Sequence, residues 1–217
     1  MDSKPGLILQ HGPAGPPDIL GEWLEERGIP YEVHHAWEAP PPPVEGRAFL
    51  ASLGSPSSAV NGAPAWVAGE LDAMRRAVAA DVPVLGLCFG GQTLALALGG
   101  GLEPAPEPEI GWLSVESEDD SVPPGPWAQY HYEIIRLPPG ARELARTPAG
   151  PAAFRIGPHT GTQFHPEVTP ERMSIWARMA ELPPGITPEL IDEQGARHGA
   201  AAREQAWRLF DGWWASR

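Results

Sequence analysis

The stretch VPVLGLCFGGQTLALALGG, residues 82–100, sets the only cysteine of the chain, Cys88, between Gly86 and Gly90. Before it runs VPVLGL, a near-continuous apolar segment of the kind a parallel sheet buries on both faces. After it, QTLALALGG reads as a short helix closed by Gly99 and Gly100. A strand that turns sharply into a helix strains the residue at the apex, and positions two before and two after approach so closely that only glycine fits. Gly86-Leu87-Cys88-Phe89-Gly90 therefore reads as a nucleophile elbow. The helix dipole and free N–H groups behind such a thiol favour thiolate, and the Phe89 N–H points to where an oxyanion would form. Alone, the pattern is only suggestive, because cysteine is among the most buried residue types.

Upstream of this segment, strands and helices alternate. GLILQHG (Gly6 to Gly12) reads as a first buried strand, followed by a proline-rich loop. Asp18 is placed to cap a helix carrying Ile19, Leu20, Trp23 and Leu24 at helical spacing, with Gly28 at its end. YEV begins a second strand, APPPPVEG (residues 39–46) a stiff loop, and RAFLASLG (residues 47–54) a third strand. The helix AWVAGELDAMRRAVAA is expected to bury Val67, Leu71, Met74 and Val78. This order predicts right-handed βαβ units and a doubly wound sheet, whose ligands bind at the carboxyl ends of the strands, where Cys88 falls. Hairpins are expected between EIGWLSVES and AAFRIG. The last helix is expected to begin near His198 and pack through Ala202, Ala206, Leu209 and Trp213.

Composition narrows the function classes. The formal net charge of −13 argues against nucleic acid as a partner. A single cysteine excludes an intramolecular disulfide and suits a reducing compartment. The N-terminal apolar stretch is too short for a secretory leader, and no run reaches membrane-spanning length, so a cytoplasmic protein with no membrane association is expected. At 217 residues, one α/β domain covering 1–217 is the expectation.

The companion motif is GTQFHPEV, residues 161–168. His165 and Glu167 lie two apart on a segment read as extended, which puts their side chains on one face. Pro166 keeps His165 out of helical conformation. Glu167 can orient one imidazole nitrogen while the other faces a sulfur, giving a Cys-His-Glu set. His11 is also of interest, because the end of the first strand borders the site in this topology.

GLCFGGQ and QFHPE, together with GSP after the third strand, EIGW and LPPGARELA in this order, resemble class I (triad-type) glutamine amidotransferases. The likeness is strongest to free-standing relatives of the guanylate synthase amidotransferase domain. It implies a flavodoxin-like, open and mainly parallel sheet with helices on both faces and a β-rich excursion after the elbow. It also implies hydrolysis of the glutamine side-chain amide through a γ-glutamyl thioester on Cys88, with His165 as base and acid and Glu167 as its orienter. No cofactor or metal is implied. Backbone N–H groups of Ser55 and Phe89 correspond to the family's oxyanion hole, and Gly54, Gln92, His131 and Tyr132 to positions that hold substrate. The chain departs from the family at Ser55, where a second glycine is common, and in YHYE, where Tyr132 replaces glycine and Glu133 aspartate. The sequence ends 50 residues after Glu167, so the expected ammonia acceptor is a separate synthetase subunit. Three rivals stay open: a γ-glutamyl peptidase or hydrolase without such a partner, a metal site built from His131, Glu133, His165 and Glu167, and a binding module without catalysis.

Overall fold

A computed structural model describes residues 4–117 and 119–217. Met1 to Ser3, the start of the stretch read for a leader, lie outside the described residues. In chain order the first elements are β1 (Gly6–Gln10), α1 (Asp18–Glu26), β2 (Tyr31–His35), β3 (Leu50–Ser52), α2 (Trp66–Ala79), β4 (Val84–Leu87) and α3 (Phe89–Ala97). There follow β5 (Gly101–Leu113), β6 (Glu116–Ser117), β7 (Trp127–Arg136), β8 (Arg142–Arg146), β9 (Pro151–Ile156), β10 (His159–Thr162), α4 (Pro170–Met179) and α5 (Pro188–Ala215). No helix among the described residues is long and apolar enough to cross a membrane.

The main sheet has the order β2-β1-β3-β4-β10-β9-β8-β6. Its first five strands are parallel, and β9, β8 and β6 continue it antiparallel. The period-two alternation of strand side chains divides the core. Ile8, Ala51, Leu85 and Leu87 face one cluster with Trp23 of α1 and Leu209, Phe210 and Trp213 of α5. Leu7, Leu9, Leu50 and Val84 face the other, with Ala73, Met74 and Ala77 of α2 and Leu94 of α3. Helices therefore cover both faces of an open, mainly parallel sheet, as the alternation of elements predicts. Each fully buried side chain of this size contributes about 1.5–3 kcal/mol. The β-rich excursion is the β5–β7 hairpin, which packs through Ile110, Trp112 and Ala128 against Met173 and Ala177 of α4.

Three local expectations are corrected. Asp18 does not cap α1: the cap position is Pro17, without a side-chain bond, and the Asp18 carboxylate instead accepts from Arg172 Nε at 2.9 Å. The buried face of α2 is Val67, Glu70, Ala73, Met74 and Ala77, so Leu71 and Val78 lie at its margins while a carboxylate points inward. The last helix begins at Pro188, not near His198. Thr187 caps it, accepting from the Leu190 N–H at 3.2 Å, with proline in the first turn where a missing N–H does no harm. That Thr-Pro signal was legible.

Candidate active site

Four neighbouring parallel strands, β1, β3, β4 and β10, deliver His11, Gly54, Cys88 and Gln163 to one end of the sheet. Cys88 adopts φ 51° and ψ −104°, a conformation that non-glycine residues avoid. Its N–H donates to Thr162 O at 2.9 Å, tying the apex to β10. The flanking glycines are sterically required: a Cβ on Gly86 would lie 2.3 Å from Gly90 O, and one on Gly90 2.1 Å from Ser52 O. Cys88 is 5% exposed, and its sulfur receives the Gln163 side-chain amide at 3.7 Å.

β10 ends at Thr162, and residues 163–167 form a bend and turn rather than the extended run read from the sequence. The turn at Pro166 still joins the pair. His165 Nδ1–H donates to Glu167 Oε1 at 2.9 Å, with both side chains buried. The second carboxylate oxygen, Glu167 Oε2, is buried without a partner. Burial by itself lowers the His165 pKa, but the charges of Cys88 and Glu167 outweigh it and push it up to about 10. That favours an imidazolium facing a thiolate. Trp176 of α4 lies edge-on to the imidazole, 5.0 Å between ring centres.

Gly54 packs against the opposite side of His165, where a Cβ would come 2.6 Å from Cε1. Neither the Ser55 nor the Phe89 N–H has a backbone acceptor among the described residues. Gln92, 5% exposed, donates from Nε2 to Glu133 O at 3.4 Å, so it lies beside the YHYE strand. The His131 ring is occupied by Gln129 Oε1 at 3.1 Å and Glu109 Oε2 at 3.2 Å, whereas the Tyr132 side chain is 48% exposed. Glu133 accepts from Ser58 Oγ and Asn61 Nδ2, each at 3.0 Å, joining YHYE to the segment after GSP. His131 and Glu133 are thus engaged away from the His165–Glu167 pair. Among the described residues no three His, Cys, Asp or Glu side chains converge as metal ligands would.

A cavity of about 320 Å³ opens beside His165, walled by Pro13, Ala14, Pro56, Tyr130, Trp176 and Met179. The Tyr130 hydroxyl is buried without a partner. Behind the site runs a polar chain the motifs do not disclose. Glu70, 0% exposed, accepts from Ser52 Oγ at 2.6 Å and Thr93 Oγ1 at 3.2 Å, and meets His11 Nε2 at 2.5 Å. His11 Nδ1 in turn contacts Gly54 O at 3.1 Å. Sequence reading flagged His11 by topology but passed over Glu70 and Gln163. The same two-residue spacing used for His165 and Glu167 reaches Gln163, so that signal was present.

Residues 51–176 match the family described as glutamine amidotransferase class-I. The chain is 38% identical over 96 residues to a glutamine-hydrolyzing GMP synthase subunit of Ignicoccus hospitalis, a match spanning 40% of this chain and 51% of that protein. It is 31% identical over 185 residues to GMP synthase (glutamine-hydrolyzing) of Alkalilimnicola ehrlichii, spanning 75% of this chain and 33% of that one. The chain thus covers about half of one curated relative and a third of the other. A solved glutamine amido transferase from Methylobacillus flagellatus superposes with a TM-score of 0.89 at 28% identity, covering 99% of this chain and 95% of that one.

Proposed function

This chain belongs to the class I glutamine amidotransferase family, and on that premise we propose that it hydrolyses the side-chain amide of glutamine through a γ-glutamyl thioester on Cys88. One observation carries the reading: a lone thiol in a positive-φ elbow faces an imidazole whose pKa is pushed up to about 10. The Cys88 thiolate attacks the amide carbonyl carbon, and the negative oxygen that forms is received by the N–H groups of Phe89 and Ser55. Collapse breaks the C–N bond, and His165 gives its proton to the departing nitrogen, releasing ammonia. Once the sulfur is acylated its negative charge is gone, which removes one of the influences holding the imidazolium charged and eases that transfer. Neutral His165 then takes a proton from water, which attacks the thioester and frees glutamate and the thiol. Glu167 holds the ring by Nδ1 throughout. Gln92 and the backbone of residues 131–133 bind the amino-acid end of the substrate.

The GMP synthase relatives support an ammonia acceptor housed in a separate synthetase subunit. The cavity beside His165 favours a second reading in which no acceptor is needed. Ammonia is about the size of water, whose share of liquid is about 30 Å³, while the cavity holds about 320 Å³. A γ-glutamyl amide of an apolar amine would put its leaving group there, beside the acid that must protonate it.

Glutamate release from glutamine, measured with Cys88→Ala beside the natural chain, tests the chemistry. Cys88-dependent release with a trapped acyl-Cys88 adduct is expected. If neither glutamine nor any γ-glutamyl amide gives it, the reading fails. Faster release from a γ-glutamyl anilide than from glutamine, lost in Trp176→Ala, would select the second reading.

A further inference from the structure

We propose that His11 and Glu70 are positioning residues that lock the Gly54–Ser55 peptide in its oxyanion-binding orientation. The inference rests on the thioester chemistry proposed above, and it follows from which groups donate. Gly54 O is a carbonyl and only accepts, so His11 Nδ1 carries a proton and donates to it at 3.1 Å. With that nitrogen fixed as donor, the other ring nitrogen must face Glu70 Oε2, 2.5 Å away. Glu70 is itself held from β3 by Ser52 and from α3 by Thr93, whose hydroxyl also reaches Gly90 O of the elbow at 3.1 Å. Trp66 stacks on His11 with 5.0 Å between ring centres and Phe89 packs on it at 4.9 Å, so the imidazole has little freedom to turn.

In a trans peptide the C=O of one residue and the N–H of the next point in opposite directions. Holding the Gly54 oxygen toward His11 therefore turns the Ser55 N–H away from His11. Gly54 also backs onto the His165 ring, so the same peptide is clamped between the relay and the catalytic imidazole. If the peptide turned over, the carbonyl oxygen would replace the N–H and meet a developing negative charge with its own partial negative charge. A buried carboxylate on an otherwise apolar helix face is costly unless it is fully hydrogen-bonded. Here its bonds reach both halves of the oxyanion hole, Ser55 through His11 and Gly54, and the elbow through Thr93.

The test compares His11→Phe with His11→Asn in the full chain, reading glutamine kcat and KM, Cys88 alkylation by iodoacetamide across pH, and inhibition by the glutamate γ-aldehyde. The aldehyde adds to the thiol and places an oxyanion in the hole. Phenylalanine keeps the stack on Trp66 but has no donor, whereas the asparagine amide restores a donor near the Nδ1 position. The expected result is that His11→Phe lowers kcat by about 10–100-fold with little change in KM, and weakens the aldehyde by a similar factor. Cys88 alkylation keeps its natural pH profile, and His11→Asn retains more turnover than His11→Phe. A packing role would give the reverse ranking, and that ranking overturns the proposal, as does parallel loss of Cys88 alkylation. If His11→Phe does not fold, the same comparison is read at Glu70. Glu70→Gln can still hold the ring by donating to Nε2 and should retain more turnover than Glu70→Leu; equal losses overturn the proposal. Failure of the thioester chemistry itself is distinguishable, because the natural chain would then neither turn over glutamine nor bind the aldehyde.

Discussion

The elbow and the GSP loop face the same reaction space, yet different physics holds each in place. The elbow is held by backbone sterics within a few residues and against its neighbouring strand: Gly86 on Gly90, Gly90 on Ser52, and the Cys88 N–H on Thr162. The loop is held by side chains from distant elements. His11 is 43 positions from Gly54 in sequence, and Glu70, which holds His11, is on α2. Strain enforced by backbone contact has no low-energy alternative, whereas a peptide held by one hydrogen bond does. The elbow is accordingly the fixed half of the site and the loop the adjustable half.

Four changes sharpen or break this contrast. Cys88→Ala should lower turnover by about a millionfold, to the background rate, while leaving the fold intact; glutamate release and circular dichroism check both halves of the statement. Glu167→Gln keeps a hydrogen-bonding partner for His165 but loses its charge, and should lower kcat by about 100-fold. A reduction as deep as that of Cys88→Ala would mean that Glu167 does more than orient the ring.

Gly90→Ala and Gly54→Ala separate the two loops directly. At Gly90 the added carbon meets strand backbone at 2.1 Å, which cannot move cheaply, so the loss should appear as stability, about 3 kcal/mol or more in denaturant unfolding. At Gly54 it meets the edge of the His165 ring at 2.6 Å, and a side chain can yield. That variant should stay folded and lose about 10–100-fold in kcat through a displaced imidazole. Equal stability losses at the two sites would remove the distinction.

The smallest effect is in pH dependence. The His165 pKa is raised above its ordinary value of 6.5, to about 10. Its contribution to stability is therefore fully present below about pH 6.5 and declines as pH rises through about 10. Unfolding free energies between pH 7 and 10.5 should fall for the natural chain and fall less steeply for His165→Gln. A natural chain whose stability is flat over that range would contradict the ion pair.

Much of the fold follows from short-range patterns. Apolar runs buried on both faces, glycines at helix ends and alternating element lengths indicated a doubly wound sheet, because those signals lie within each element. The exceptions arise where distant side chains intervene. Asp18 has the chemistry of a helix cap, but Arg172 lies close enough to take its carboxylate. α2 turns Glu70 inward because His11, Ser52 and Thr93, from three other segments, satisfy it there. Helical periodicity counts apolar residues and cannot register partners that arrive only on folding.

The sequence by itself determined the nucleophile, its glycine neighbours and the His165–Glu167 pair, because each constraint acts over a few bonds and only a few residue types meet it. Only the tertiary structure decided that His165 is ringed by Gly54 and Trp176, that a cavity opens at its side, and that the GSP loop hangs from His11 and Glu70. Those contacts join residues tens of positions apart. Their energies depend on burial and register, which exist only once the sheet has formed.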